Sequence, residues 1–480
     1  MKNELRNQLA ALLSADDPAL RRRAAEELAE IKGFTPIAAL AAALRDENKG
    51  VRDSALRSLS QIGSENVARA AVEYIADENI VTRNLAAELL LKLKGRSVGA
   101  LLPYLYDVNQ DVRKFAVDIL GLIGDESTVP HIIPLLDDPD ENVVVSAAEA
   151  LGNIRSPLAV PHLVRVFKLN DNAKVIVAEA LGKIGDESGG DFLLKYFSAV
   201  VKNQQADCLV LYAVVDSIGL IGTEVALPVI RQSIYSVKGS IRHVLLHAMI
   251  RILERHDLSF RELHEFQSDL IDALGRDNDS IRLSAAKVLA GIGSSDVTAH
   301  LIKAVGVSGE VDALLLPILE HREDTFRTIV DLAEAHEIEP SKEMVTLIGR
   351  VSSSIDYRTL PKELLDQTLA LLQRSFTFVT GGWSEGSEEI RAAIIETMLL
   401  LDGDRAFEYL VKVTDEPDPW LRIHVIELVA PLENRGISDF IARFLTDEDE
   451  MVREVAAATL ESKGYDSHIE LSVSRPADIH

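Results

Sequence analysis

A short segment that returns about every 31 residues constrains the fold of this chain more than any other feature. The segment VRDSALRSLSQIG at Val51 returns as VRKFAVDILGLIG at Val112, IRLSAAKVLAGIG at Ile281 and VREVAAATLESKG at Val452. If its arginine is numbered zero, apolar residues occupy positions −1, +3, +4, +7 and +10, which form one stripe along a helix. One such helix cannot bury its stripe alone. The repeat therefore predicts a stack of similar units along the chain.

We call position zero of each copy the anchor. Between anchors lies a second apolar segment, such as VPHIIPLL from Val129, in which proline occupies the first helical turn, where it is tolerated. Each unit is therefore predicted to be a first helix, a turn, and a second helix that carries the anchor. The twelve anchors are Arg21, Arg52, Arg83, Arg113, Val144, Lys174, Leu211, Arg242, Arg282, Arg391, Arg422 and Arg453.

Composition supports an all-α fold and excludes some functions. Hydrophobic residues make up 47% of the 480 residues and aromatic residues only 5%, which suits closely packed helices better than sheets. The formal net charge of −26 opposes binding to nucleic acid or to anionic membranes, since both draw affinity from Lys and Arg. We therefore expect neither partner.

Cysteine usage and the absence of long apolar segments point to a cytoplasmic protein. Cys208 is the single cysteine, so the chain forms no internal disulfide and has no CxxC motif. The N-terminal residues are polar, and no stretch approaches the ~18 apolar residues of a membrane span. We expect a soluble chain without a cofactor.

The combination of a loop acid, a VR pair, an AAxALGxIGD core and a VPxLxxLL helix resembles the short bacterial HEAT-like repeat, often called the PBS lyase HEAT-like repeat. The resemblance covers residues 1 to about 295 and 387 to 465. It implies a right-handed α-α superhelix of the HEAT or armadillo type, with about thirteen or fourteen helix pairs.

The repeat pattern divides the chain into four parts. Residues 1–295 hold about nine units, residues 296–386 hold divergent helices, residues 387–465 hold three units, and residues 466–480 form a tail. Residues 376–388 are rich in glycine and aromatics and are predicted to be an irregular loop. Trp383 in this loop is either a partner contact or a ring that packs on neighbouring helices.

An acidic residue lies six positions before many anchors, as in Asp46 and Arg52, or Asp107 and Arg113. In HEAT-type proteins such pairs form a ladder in which each arginine bonds the acid of its own or the next unit. We therefore assign the anchor arginines to structure rather than to binding.

The predicted binding surface lies on the second helices, at positions opposite the apolar stripe. Position +5 is acidic in eight of the twelve units, and positions +1 and +2 are apolar in the middle units. This combination predicts a groove for a basic or amphipathic protein segment, although acids at this position also serve solubility. The candidate residues are Glu88, Asp118, Glu149, Glu179 and Asp216 for charge, and Phe115, Val145, Ile176 and Tyr212 for apolar contact.

No sequence motif identifies an enzyme. His243 and His247 are spaced i, i+4 and can share one helical face, but further metal ligands are not evident. Two enzyme families resemble this repeat, phycobilin lyase subunits and the di-iron deoxyhypusine hydroxylase, and His243 is followed by Val244 where the latter has Glu. We predict a non-catalytic scaffold without a metal. An enzyme or enzyme subunit of either type is the alternative.

Overall fold

The computed structural model describes residues 11–30, 37–203, 207–237, 239–338, 341–354, 361–380, 387–401, 418–431 and 436–464. The chain forms two compact units, residues 1–259 and 260–480. All regular secondary structure in the described ranges is helical, which confirms the predicted all-α fold. None of the described helices is both long and apolar enough to cross a bilayer.

The first unit alternates first and second helices. Within this unit, odd numbers denote the second helix of a repeat and even numbers the first helix. In chain order they are α1 (Pro18–Glu30), α2 (Ile37–Ala42), α3 (Lys49–Ile62), α4 (Glu65–Val72), α5 (Ile80–Leu93), α6 (Val98–Leu101), α7 (Gln110–Ile123), α8 (Val129–Ile132), α9 (Glu141–Ile154), α10 (Val160–Leu169), α11 (Lys174–Ile184), α12 (Glu187–Asn203), α13 (Cys208–Ile221), α14 (Ala226–Ser236) and α15 (Ile241–Arg255).

Several first helices are extended by a short 3-10 segment that leads into the turn before the second helix. In this unit 3-10 segments occur at Ala43–Arg45, Glu73–Ala76, Lys94–Ser97, Leu102–Tyr106, Glu126–Thr128, Ile133–Asp137 and Pro157–Ala159.

The second unit begins with the 3-10 segment Phe260–Phe266 and continues the alternation of helices. Its α-helices are α16 (Gln267–Leu274), α17 (Asp279–Ala290), α18 (Ser295–Lys303), α19 (Gly309–Leu319), α20 (Thr325–Glu334), α21 (Lys342–Ser354), α22 (Lys362–Thr380), α23 (Ser387–Leu401), α24 (Pro419–Val429), α25 (Ile437–Ala442), followed by the 3-10 segment Arg443–Thr446, and α26 (Glu450–Ser462).

Each second helix starts at a polar turn. In α3 the side chain of Asn48 accepts a hydrogen bond from the backbone N–H of Val51 at 3.3 Å, which satisfies one of the free donors of the first turn. The carboxylate of Asp46 accepts from the N–H of Asn48 at 2.9 Å. The same Asp-x-Asn or Asp-x-Asp turn precedes α5, α7, α9 and α26.

The ends of the second helices explain the recurring glycine. Gly63, Gly124 and Gly185 follow α3, α7 and α11 with φ of 61°, 74° and 78°, a left-handed conformation that glycine adopts without steric cost. Arg155 takes the same conformation after α9, with φ of 60°. At these three helix ends the recurring glycine is therefore a left-handed cap, whereas Gly222 after α13 has a φ of −62°.

The predicted apolar stripe forms the core. In α3, Val51, Ala55 and Leu59 have no exposed surface, and the equivalent residues of other second helices are also buried. Second helices pack against the next second helix along the chain, from α1 to α15 in the first unit and through α17, α19, α21, α23, α24 and α26 in the second. Such stacking of helix pairs is an α-solenoid, which confirms the predicted class.

The divergent residues 296–386 keep this arrangement. Segments predicted as helical near residues 313, 326, 342 and 362 lie in α19, α20, α21 and α22. The prediction of an irregular loop over 376–388 was too long, because α22 continues to Thr380 and α23 begins at Ser387. Aromatic residues cost a helix only a few tenths of a kcal/mol each, so α22 runs on through Phe376 and Phe378.

The remaining boundaries stay predictions. The boundary between the two compact units lies between Ser259 and Phe260. The boundaries predicted from the sequence separate regular repeats from divergent ones, which is a different criterion. Trp383 and the tail 466–480 lie outside the described residues.

Candidate functional site

The anchor arginines join successive repeats. Arg113 donates from Nη1 to the backbone carbonyls of Asp107 and Val108, at 2.9 and 3.3 Å, and thereby closes the turn before its own helix. Its Nε and Nη2 donate to both carboxylate oxygens of Asp138, at 2.8 and 2.7 Å, in the next repeat. Arg21 with Asp46 and Arg422 with Asp447 repeat this arrangement.

These contacts occupy the polar groups of the turn. Asp46, six residues before Arg52, offers that anchor its backbone carbonyl, while its carboxylate accepts from Arg21 of the preceding repeat. Asp138 is buried, and the hydrogen bond from Arg113 lowers the pKa of its carboxyl group against the opposing effect of burial. The structural role predicted for the anchors is confirmed at these positions.

Glycine at position +8 brings four second helices into close contact. An added Cβ on Gly152 in α9 would lie 2.8 Å from the Cα of Ala180 in α11, closer than any side chain tolerates. Gly121, Gly182 and Gly219 meet the next helix in the same way. Helices α7, α9, α11, α13 and α15 therefore stack near the lower end of the usual interaxial range of about 8–10 Å.

The five predicted acids share one position on successive stacked helices, but their surroundings differ. Glu88 forms an ion pair with Lys92 at 2.7 Å, and Asp118 forms one with Lys114 at 2.8 Å. Asp216 forms an ion pair with Arg251 of the next second helix at 2.9 Å. These cations partly neutralise three of the five carboxylates.

Glu149 and Glu179 are different. Both are exposed, and neither carboxylate has an ion-pair or hydrogen-bond partner among the residues that the structure describes. They lie at the same position of α9 and α11, the two helices that Gly152 joins. The uncompensated charge of the predicted groove is therefore concentrated on these two helices.

The predicted apolar residues lie beside these acids. Phe115, Val145 and Ile176 are partly buried, and Tyr212 is 41% exposed. Burial raises the pKa of the Tyr212 hydroxyl, and the nearby charge of Asp216 adds to this effect. We refer to the exposed side chains at positions +1, +2 and +5 of α5, α7, α9, α11 and α13 as the second-helix face.

The second-helix face ends before α15, where the sequence expectation fails. Val244 and His247 occupy positions +2 and +5, yet they are only 2% and 6% exposed, and His243 is 4% exposed. Ten of the fifteen residues of α15 are buried, so it is a buried helix rather than part of an open surface. Within the described residues, no group of three or more His, Cys, Asp or Glu side chains is placed to hold a metal ion.

A cleft between α5 and α7 was not predicted. It has a volume of about 330 Å³ and opens beside position +1 of both helices. The sequence signal for it is the apolar residue Ile80 at position −3, outside the stripe that defines the repeat. The cleft is lined by Ile75, Ala76, Asp77, Ile80, Arg83, Asn84, Asn109, Asp111, Val112, Lys114 and Phe115.

Stacked helix pairs linked by an arginine ladder define an α-solenoid of the HEAT class. The family model for HEAT repeats matches residues 7–91 and 98–176. Residues 7–91 and 98–176 are therefore HEAT repeats, as the sequence predicts. The PBS lyase subtype of the repeat stays a prediction.

Several solved structures are similar to this chain at low sequence identity. The match to a Kap95 and Nup1 complex covers 96% of this chain and 74% of that chain, with 12% identity and a TM-score of 0.45. For yeast importin-beta, Kap95p, the match covers 96% of this chain and 74% of that chain, with 12% identity and a TM-score of 0.44. For Kap121p bound to RanGTP, it covers 96% of this chain and 58% of that chain, with 13% identity and a TM-score of 0.47. Such scores carry no argument about function. Among curated proteins, none matches this sequence.

Proposed function

We propose that this protein is a non-catalytic scaffold that binds a basic or amphipathic protein segment along its second-helix face. The observation that carries the proposal is the pair of exposed carboxylates of Glu149 and Glu179 on adjacent helices, neither of which has a partner among the described residues. Val145 and Ile176 flank them with partly exposed apolar surface.

Charge and apolar surface have separate roles in this mode of binding. Lysine or arginine of the partner would pair with the free carboxylates, and the net charge of −26 would attract basic segments over distances of about a Debye length, ~10 Å. Apolar partner side chains would cover Phe115, Val145, Ile176 and Tyr212, which supplies the burial that surface ion pairs lack.

The other predicted acids have a smaller part in the proposal. Glu88, Asp118 and Asp216 already have cationic neighbours, so a partner gains less from approaching them. Trp383, outside the described residues, is kept as an alternative contact. We place the protein in a reducing, cytoplasmic setting, in keeping with the exposed free thiol of Cys208.

Charge reversal tests the proposal. Random fifteen-residue peptides displayed on phage are selected against the wild-type protein, and enriched peptides are titrated by fluorescence anisotropy. We expect enriched peptides to combine Lys or Arg with apolar residues. Replacement of both acids, Glu149→Lys and Glu179→Lys, should weaken their binding at least tenfold, because each lost ion pair becomes a repulsion.

The matched control makes the same change of charge elsewhere. Glu73→Lys with Asp191→Lys reverses two exposed acids on or beside the first helices α4 and α12 of the same unit. This variant should keep the wild-type affinity. Equal binding by both double variants, with unchanged circular dichroism, would show that the second-helix face is not the binding surface.

A further inference from the structure

The cleft between α5 and α7 has the size of a side-chain pocket, and its lining combines apolar residues with polar ones. Ile80 is 61% exposed at its edge, and Phe115 is partly exposed. Pockets that hold small ligands start at about 300 Å³, so a volume of about 330 Å³ accommodates one bulky side chain with its backbone.

The charges that line the cleft are not equally available. Arg83 donates from Nη1 to the carbonyl of Asp77 at 2.7 Å, and Lys114 is bound to Asp118 at 2.8 Å. The exposed carboxylate of Asp111 has no ion-pair partner among the described residues. Hydrogen bonds to carbonyls leave the charge of Arg83 without an ion-pair partner among the described residues, so Asp111 is the one carboxylate of the cleft that a partner cation can pair with.

The neighbouring turn is unusually apolar. Val108 is fully exposed, between Asp107 and Asn109, where equivalent turns have an acid such as Glu47 or Glu448. Val81, next to Ile80, is 44% exposed. Large apolar groups left in water at the mouth of a cleft are typical of a contact site.

We infer that this cleft binds a bulky aliphatic or aromatic side chain of the partner segment, next to a Lys or Arg of that segment that pairs with Asp111. The inference rests on the proposed function, because the same segment would occupy both places. Asn84 and Lys114, at position +1, belong to the cleft and to the second-helix face.

The spacing of the helices sets the register of such a segment. Successive second helices are about 8–10 Å apart, and an extended chain rises ~3.3 Å per residue, so about three partner residues span one helix. A partner side chain midway between α5 and α7 lies one and a half spacings from α9 and two and a half from α11, so basic residues about four and seven positions further on would lie near Glu149 and Glu179.

Two labelled peptides test the pocket with the full-length protein. Both are Gly-Ser peptides that contain one dipeptide, Leu-Lys in the first peptide and Ala-Lys in the second. Two further lysines occupy the third and sixth positions after this dipeptide. We expect the wild type to bind the Leu peptide about tenfold more tightly in fluorescence anisotropy, because leucine buries more apolar surface. The variant Asn84→Trp fills the cleft and should abolish this preference, whereas Asn84→Gln should keep it.

The outcomes separate this inference from the proposed function. Glu149→Gln with Glu179→Gln should weaken both peptides equally and leave the leucine preference unchanged. Equal affinity of the wild type for both peptides, or a leucine preference that survives Asn84→Trp, would overturn the pocket while leaving the acidic surface in place. Failure of the wild type to bind either peptide at low salt would contradict both proposals.

Discussion

Arg113 shows how a single residue connects two repeats. Its guanidinium donates hydrogen bonds to two backbone carbonyls of its own turn and to both carboxylate oxygens of Asp138. One side chain therefore supplies hydrogen bonds to two carbonyls and one carboxylate. Only 5% of the Asp138 side chain is exposed, and a charge buried to this extent is stable only while it is paired. The neighbouring pair of Asp137 and Arg165 has similar geometry but is exposed.

We expect Asp138→Asn to lower the free energy of unfolding by about 2–3 kcal/mol at pH 7, because Arg113 loses a charged, two-point partner. The pKa of Asp138 is lowered in the folded protein, so its contribution is complete above the unfolded pKa of about 4 and is lost as pH falls through the folded value. The difference between variant and wild type should therefore shrink below about pH 4. Urea unfolding of both proteins at pH 7, 5 and 3 measures this difference in the free energy of unfolding.

Asp137→Asn is the matched control. Its partner Arg165 is 42% exposed and its own side chain 62% exposed, so the loss should stay within about 1 kcal/mol. Equal effects of the two substitutions at pH 7 would contradict the role assigned to burial.

At the scale of elements, small residues decide how closely the second helices approach. Gly121, Gly152, Gly182 and Gly219 occupy position +8 of four successive second helices, where other repeats have larger residues such as Leu91. The close stack thus coincides with the helices that carry the second-helix face. It also fixes the spacing of Glu149 and Glu179.

Gly152→Ala should destabilise the protein by about 1–3 kcal/mol, because the new methyl group would overlap the Cα and Cβ of Ala180, at 2.8 and 2.9 Å. Thermal unfolding followed by circular dichroism measures the effect. At Gly99 in α6 an added Cβ meets nothing within 4 Å, so Gly99→Ala should be neutral or slightly stabilising. A Gly152→Ala protein as stable as the Gly99→Ala protein would show that the helices separate at little cost.

At the scale of the whole molecule, a solenoid has contacts mainly between neighbouring repeats, so its stability varies along the chain. Helices α7 to α13 combine the buried, two-point ion pair of Arg113 and Asp138 with close glycine contacts. In the divergent region, Arg350 approaches Glu320 at 3.4 Å as a half-exposed pair. The two regions should therefore open independently.

Hydrogen exchange measured by mass spectrometry on the full chain tests this difference. Backbone amides of α7, α9 and α11 should exchange at least tenfold more slowly than those of α18, α20 and α21, because opening the former breaks more buried contacts. Identical rates in both regions would indicate that the chain unfolds as one cooperative body.

Part of the candidate site was predictable from the sequence. The repeat places the acids at +5 and the apolar residues at +1 and +2 of stacked helices, and both sets lie there in α5 to α13. The i, i+4 pairs of Glu88 with Lys92 and Lys114 with Asp118 also follow from helical spacing. The contact of Arg251 with Asp216 and the cleft beside Ile80 depend on neighbouring repeats.

The sequence by itself determined the helices, their buried stripe and the order of the stack, because helical periodicity is a local property that each repeat carries in full. Only the tertiary structure decided that the carboxylate of Asp46 bonds Arg21, 25 residues earlier, while Arg52 takes its backbone carbonyl. It also decided that α15 is buried and that the carboxylates of Glu149 and Glu179 have no partner in the part of the chain that the structure describes. Such pairings depend on which side chains of different repeats come within about 4 Å, a distance that periodicity does not specify.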